Sequence, residues 1–178
     1  MTNRKNAIVM GLAASIAAFG VSAKELTPEQ QAAKSEVWEP VPAMVETAPG
    51  KAPSDAVVLF DGTDLSAFES LKGGAAKWIV EDGTLTVKPG AGDIVSKQSF
   101  CSVQLHAEWK TPTDVEGLES QQRNNSGIFL QQRYEVQVLD SYNNKTYPNG
   151  QAGSIYKQSI PLVNPVNPPG EWQTYDII

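Results

Sequence analysis

From Ala56 onward the chain is written in short apolar or alternating runs, each cut off by glycine, asparagine, aspartate or proline before a helix could establish its 3.6-residue period. Val57–Phe60 stops at Asp61-Gly62, Lys77–Val80 at Glu81-Asp82-Gly83, and Thr84–Val87 at Pro89-Gly90. Asp82-Gly83 between two such runs marks a hairpin, because a tight two-residue turn needs positive φ and glycine supplies it without strain. The same texture places further strands at Ser102–Lys110, Gly127–Gln132, Tyr134–Leu139, Gly153–Lys157 and Trp172–Ile178. No amphipathic helix separates these runs. They therefore predict an all-β, antiparallel β-sandwich or jelly roll and exclude a parallel α/β design.

The residues before Ala56 have a different character. Arg4 and Lys5 precede an apolar stretch from Ala7 to Val21 that ends on Val21-Ser22-Ala23, the small-x-small pattern of signal-peptidase cleavage. Residues 1–23 are expected to be a signal peptide, cut after Ala23, with the product exported to the periplasm or beyond. The stretch is too short for a bilayer span, and stable membrane insertion is not expected. Residues 24–55 read as a strap, with Thr27-Pro28-Glu29 as a helix start and prolines at 40, 42, 49 and 53 keeping the rest extended. Residues 56–178 form the jelly-roll domain. Glu171–Ile178 reads as a strand in mid-course, so strands closing the domain are expected beyond the sequence given.

The 178-residue chain carries 14 basic and 20 acidic side chains. Loss of Arg4 and Lys5 with the leader would move the net charge from −6 to −8. Phosphate neutralisation needs a basic face, so nucleic acid is not an expected partner. Cys101 is the one cysteine, which excludes an internal disulfide, and it is expected to be a buried apolar residue.

Strand side chains alternate between faces, so each run can be sorted by parity. In Ser102–Lys110, Val103, Leu105, Ala107 and Trp109 go to the core, and Gln104, His106 and Glu108 go outward. Val136 and Val138 go inward, Glu135 and Gln137 outward. Ile128 and Leu130 go inward, Asn125, Gly127, Phe129 and Gln131 outward. If the strands are neighbours, His106, Glu108, Asn125, Glu135 and Gln137 line one concave surface. Its amides and carboxyls suit a sugar, whose hydroxyls both donate and accept. The loop Pro112–Asn124 is expected to rim it. Asn124 and Asn144 fit the glycosylation acceptor pattern but read as turns, as does Asp61-Gly62-Thr63-Asp64, which lacks the rest of a calcium loop.

Seven segments in order resemble the 3-keto-disaccharide hydrolase domain family: Val58–Gly62, Trp78–Gly83, Gln104–Trp109, Asn125–Gly127, Tyr134–Ser141, Gly153–Tyr156 and Gly170–Ile177. The resemblance implies a concanavalin A-like jelly roll and a small carbohydrate substrate already oxidised to a ketone at sugar carbon 3. It departs from the family at Trp172-Gln173, where many members have Trp-Asn. A ketone at carbon 3 acidifies the hydrogen on carbon 2, so a base can remove it and the carbon 1 substituent can leave; water then adds.

That route needs a base, an acid and donors for the enolate oxygen. His106 and Glu135 are the candidates for acid and base, and Glu108, Asn125 and Gln137 for orienting the sugar or stabilising the enolate. Asp140, at a strand end, and Tyr156 are further substrate-binding candidates, with Tyr134 in support. A divalent metal on His106, Glu135 and Asp140 is a further option, though these residues have no motif spacing. Two other functions compete. Glu108 and Glu135 would be the carboxyl pair of an ordinary glycosidase, and a lectin-like module would bind sugar on an aromatic platform without turnover. Trp38, Trp78, Trp109 and Trp172 are expected to be mostly buried, against that platform.

Overall fold

The structure, a computed structural model, describes residues 24–178, so the expected leader lies outside the described residues. The chain divides into two units, up to Val58 and from Leu59.

In the first unit a single helical turn, α1 (Pro28–Ala32), starts where the sequence marks it. The Thr27 hydroxyl accepts from the Gln30 amide and the Gln30 side chain accepts from the Thr27 amide, a reciprocal cap that satisfies two otherwise free donors. A short 3-10 turn at Ala33–Ser35 ends it, and the proline-spaced chain that follows forms no strand. All side chains from Lys24 to Val58 are exposed. Trp38 is 79% exposed, which corrects its expected burial. Among the described residues no helix is long and apolar enough to cross a membrane.

The second unit is all-β and antiparallel. Its strands are β1 (Phe68–Ser70), β2 (Ile79–Glu81), β3 (Thr84–Thr86), β4 (Ile94–Ser96), β5 (Leu105–Lys110), β6 (Ser126–Leu130), β7 (Tyr134–Val138) and β8 (Trp172–Ile177). They pair as β1–β4, β2–β3, β5–β8 and β6–β7. The β2–β3 hairpin turns on Asp82 and Gly83, both at positive φ (50° and 70°), and this puts Val80 opposite Leu85.

Several expectations are revised. Val57–Phe60 forms no strand, and Val57 and Val58 are exposed. β5 begins at Leu105, which leaves Val103 and Cys101 exposed; Cys101 is therefore not a core residue. Residues 153–157 form no regular strand either, yet they bond to β7: the Ser154 carbonyl accepts from Gln137, Gly153 donates to Gln137, and Tyr156 donates to Glu135.

Parity holds along β5 and β8. Leu105, Ala107, Trp109, Tyr175 and Ile177 share the less exposed face, while His106, Glu108 and Asp176 share the other. Trp109 and Tyr175 meet edge to face at 5.3 Å, and the Tyr175 hydroxyl donates to the Gln137 carbonyl at 2.7 Å. β7 is already hydrogen-bonded on both sides, to β6 and to residues 153–156, and the Tyr175 hydroxyl adds a further bond that ties β8 to it. Val136, Val138 and Leu139, with Ala152, form the buried core beside that contact. Val136, Val138 and Leu139 each contribute about 1.5–3 kcal/mol by leaving water.

Candidate active site

β6 and β7 present their second face outward, and its chemistry is set by register. Gly127 stands opposite Gln137, and Phe129 opposite Glu135. Because Gly127 has no Cβ, the Glu135 side chain lies back across β6; a Cβ there would overlap its carboxyl group. Glu135 is half-buried, and this loss of water raises its pKa above the usual carboxylate value.

Around it the amides interlock. Gln137 is fully buried and donates from Nε2 to Gln121 Oε1 at 3.0 Å, with Asn125 Oδ1 at 3.4 Å; Asn125 Nδ2 also donates to Gln121 Oε1, at 3.0 Å. Gln121 is held in turn by donation from Nε2 to Thr146 Oγ1 (2.8 Å) and to the Gly150 carbonyl (2.9 Å). The turn that carries Gln121 is clamped by buried Asn144, whose amide bonds both the N–H and C=O of Ser120 and the carbonyl of Asp140. On the flank, the Tyr156 and Tyr147 hydroxyls share a 2.6 Å hydrogen bond, and Lys157 Nζ lies 3.7 Å over the Tyr147 ring. The bond to Tyr147, and secondarily desolvation, raise the Tyr156 pKa, so its hydroxyl stays protonated. Phe129 stands 56% exposed beside the carboxyl.

Asn125, Glu135, Gln137 and Tyr156 are therefore brought to one face, and four other candidates are not. His106 Nδ1 lies 2.7 Å from Asp176 Oδ1 on the outward face of β5–β8, with both side chains well exposed (62% and 74%). Tyr175 on the opposite face of that ribbon is what reaches β7, so His106 and Glu108 point away from Glu135. Asp140 is 3% exposed and bonded by Arg123 Nε at 3.0 Å and by the Tyr142 amide at 3.1 Å, an internal brace with no free oxygen for a sugar. Tyr134 is on the Val136 face. His106, Glu135 and Asp140 thus do not form a metal-binding set, and among the described residues no three acidic, histidine or cysteine side chains cluster to hold one. Glu108 and Glu135 cannot flank one glycosidic bond.

Gln173, at the departure from Trp-Asn, is buried and bonds both the N–H and C=O of Asn167, fastening a loop. Trp172 is 48% exposed, a second correction to the expected burial of the tryptophans. Two surface hollows, of about 370 and 490 Å³, lie around β1 and β4 and are lined largely by glycine, alanine and lysine. Neither includes the Glu135 cluster, and neither holds a comparable set of reactive groups; the polar face of β6–β7 is an open one.

Sequence reading missed Gln121, Thr146 and Tyr147. They lie in irregular segments, where parity gives no guidance. The signal that could have found Gln121 is its place in the Pro112–Asn124 loop, read as the rim of a site.

Two solved structures resemble this chain. A crystal structure of a protein from Parabacteroides distasonis ATCC 8503, described as a candidate glycosyl hydrolase, shares 57% sequence identity and a TM-score of 0.76 over 86% of this chain and 66% of its own. A second protein of that organism, described in the same words, shares 26% identity and a TM-score of 0.51 over 66% of this chain and 60% of its own. The chain thus spans 66% of the length of the first and 60% of the second. No curated protein matches it. Residues 55–178 match the 3-keto-alpha-glucoside-1,2-lyase-like domain, and the chain belongs to that family.

Proposed function

We propose that the protein cleaves 3-keto-glycosides by elimination across carbons 1 and 2, followed by hydration, with Glu135 as the acid–base group. The observation that carries this reading is that, among the described residues, Glu135 is the one carboxyl on this face. An ordinary glycosidase needs two carboxyls on opposite sides of the bond. Elimination next to a ketone needs fewer, because the carbon 2 hydrogen and the departing oxygen are on adjacent atoms and one group can serve both.

In this reaction Glu135, ionised, removes the proton from carbon 2, and the electron pair of that C–H bond moves into an enolate whose charge rests on the carbon 3 oxygen. The enolate then re-forms the ketone and expels the carbon 1 substituent, whose oxygen takes the proton from Glu135. Water adds its hydroxyl to carbon 1 and a proton to carbon 2, which restores a 3-keto sugar. A raised pKa suits both halves, since the carboxylate is a stronger base and the acid persists nearer neutral pH. When Tyr147 donates to its oxygen, Tyr156 can turn its own proton to the enolate oxygen. Asn125 orients sugar hydroxyls, and Phe129 packs against the apolar face of the ring.

Exposed Phe129 also supports a second reading, a sugar-binding module without turnover. Product analysis after incubation with a 3-keto-disaccharide and with its unoxidised parent separates the readings. Release of the keto sugar from the first alone is expected. Cleavage of the parent disaccharide, or binding of both without cleavage, would rule the proposal out.

A further inference from the structure

Two phenols share one hydrogen bond on the flank of the Glu135 face, and the one that donates has no proton left for anything else. The Tyr147 and Tyr156 hydroxyls lie 2.6 Å apart, and among the described residues neither makes a second side-chain hydrogen bond. Whichever phenol donates spends its proton inside the pair and leaves the other's free for a ligand. The geometry alone allows either direction, so the surroundings of the two rings decide it.

Those surroundings differ. The Tyr147 ring lies against Gly150, where any Cβ would overlap the ring edge, so the glycine gives the ring its seat. Above the ring stands Lys157 Nζ, 3.7 Å from the Tyr147 centroid and 5.6 Å from that of Tyr156. Lys157 is itself fixed: its backbone is left-handed (φ 60°), and its amide donates to the Asn149 carbonyl at 2.8 Å. It is the one cation over either ring among the described residues. Tyr156 has an anion for a neighbour instead, since its amide donates to the Glu135 carbonyl at 2.9 Å. Its pKa, raised first by the Tyr147 bond and then by desolvation, is raised further by the Glu135 charge, while the more distant Lys157 opposes the rise.

A phenol that donates pushes electron density into its own ring, and a cation over that ring favours the shift by an attraction that weakens with distance. The cation nearer Tyr147 and the carboxyl beside Tyr156 therefore act in the same direction. We infer that Lys157 is a positioning residue: seated over Tyr147, it makes Tyr147 the donor of the pair and leaves the Tyr156 proton free for an oxygen of a bound sugar. The use of that proton in turnover rests on the reaction proposed above; the direction of the bond does not.

Neutron diffraction from heavy-water-exchanged crystals of the wild-type chain and of Lys157→Met, both at neutral pH, locates the deuteron of the bond. Methionine covers the ring much as lysine does and removes the charge. The deuteron is expected on Tyr147 Oη in the wild type, with the Tyr156 deuteron turned out of the pair, and at least half transferred to Tyr156 in the variant. A wild-type deuteron on Tyr156, or a variant indistinguishable from wild type, overturns the inference. Should Lys157→Met fail to fold, Lys157→Gln takes its place with the same outcomes. Turnover of a 3-keto-glucoside gives the second readout. Lys157→Met should lower kcat about tenfold with KM little changed, less than the about 10²–10³-fold that outright loss of an oxyanion donor costs, and Lys157→Arg should recover it. A fall in kcat while the deuteron stays in place overturns the inference. A deuteron that moves while kcat stays fixed leaves it standing and removes Tyr156 from the reaction.

Discussion

Glu135 is held where it destabilises the fold. Its folded pKa is raised, so the folded protein binds its proton more tightly than the unfolded chain does. That difference favours folding below the unfolded carboxylate pKa and is lost as pH rises through the folded one. Glu135→Gln removes the half-buried charge and keeps the shape. It should therefore raise the melting temperature near pH 7, with the gain vanishing in acid below the ordinary carboxylate range. Thermal melts of the two proteins across pH check this; an equal or larger gain in acid would contradict it. Such a trade of stability against activity is common where a reactive group is preorganised. At this scale parity put Asn125, Glu135 and Gln137 on one face, because Glu135 and Gln137 lie in β7 and Asn125 directly precedes β6. Asp140 was misplaced because a strand end looks alike whether its carboxylate faces a cleft or an internal arginine. The partner that decides it, Arg123, is 17 positions away in sequence.

Gly127 is the element-scale counterpart. Its backbone is not left-handed, so alanine would fit the strand, and what forbids a side chain is the Glu135 carboxyl lying across it. Gly127→Ala should leave the β6–β7 pairing intact by NMR and push Glu135 outward. A displacement of about an ångström is enough to lower turnover about 10²-fold. Wild-type turnover in this variant, with the fold retained, would mean that Glu135 does not need its seat on β6. The elements were legible where turn chemistry was explicit, as at Asp82-Gly83 and in the Thr27 cap. β1 and β4 went unmarked because three-residue strands carry too little alternation to stand out. Val57–Phe60, the most strand-like run by composition, has no partner among the described residues, and composition alone cannot supply one.

On the scale of the whole molecule the sequence gives the alternation within each strand but not how ribbons stack. Had β5 and β6–β7 been neighbours in one sheet, His106 would stand beside Glu135. Instead Tyr175, on the face of β5–β8 opposite His106, bonds the Gln137 carbonyl of β7. This leaves Glu135 beside the buried amides and the His106–Asp176 pair in solvent, and the proposed reaction therefore uses one carboxyl twice. The most direct test compares turnover of a 3-keto-glucoside by Glu135→Gln and His106→Ala. The account predicts a loss of about 10²–10⁴-fold for the first and a rate near wild type for the second. Full activity in Glu135→Gln with a comparable loss in His106→Ala would place the reaction on the other face and contradict it.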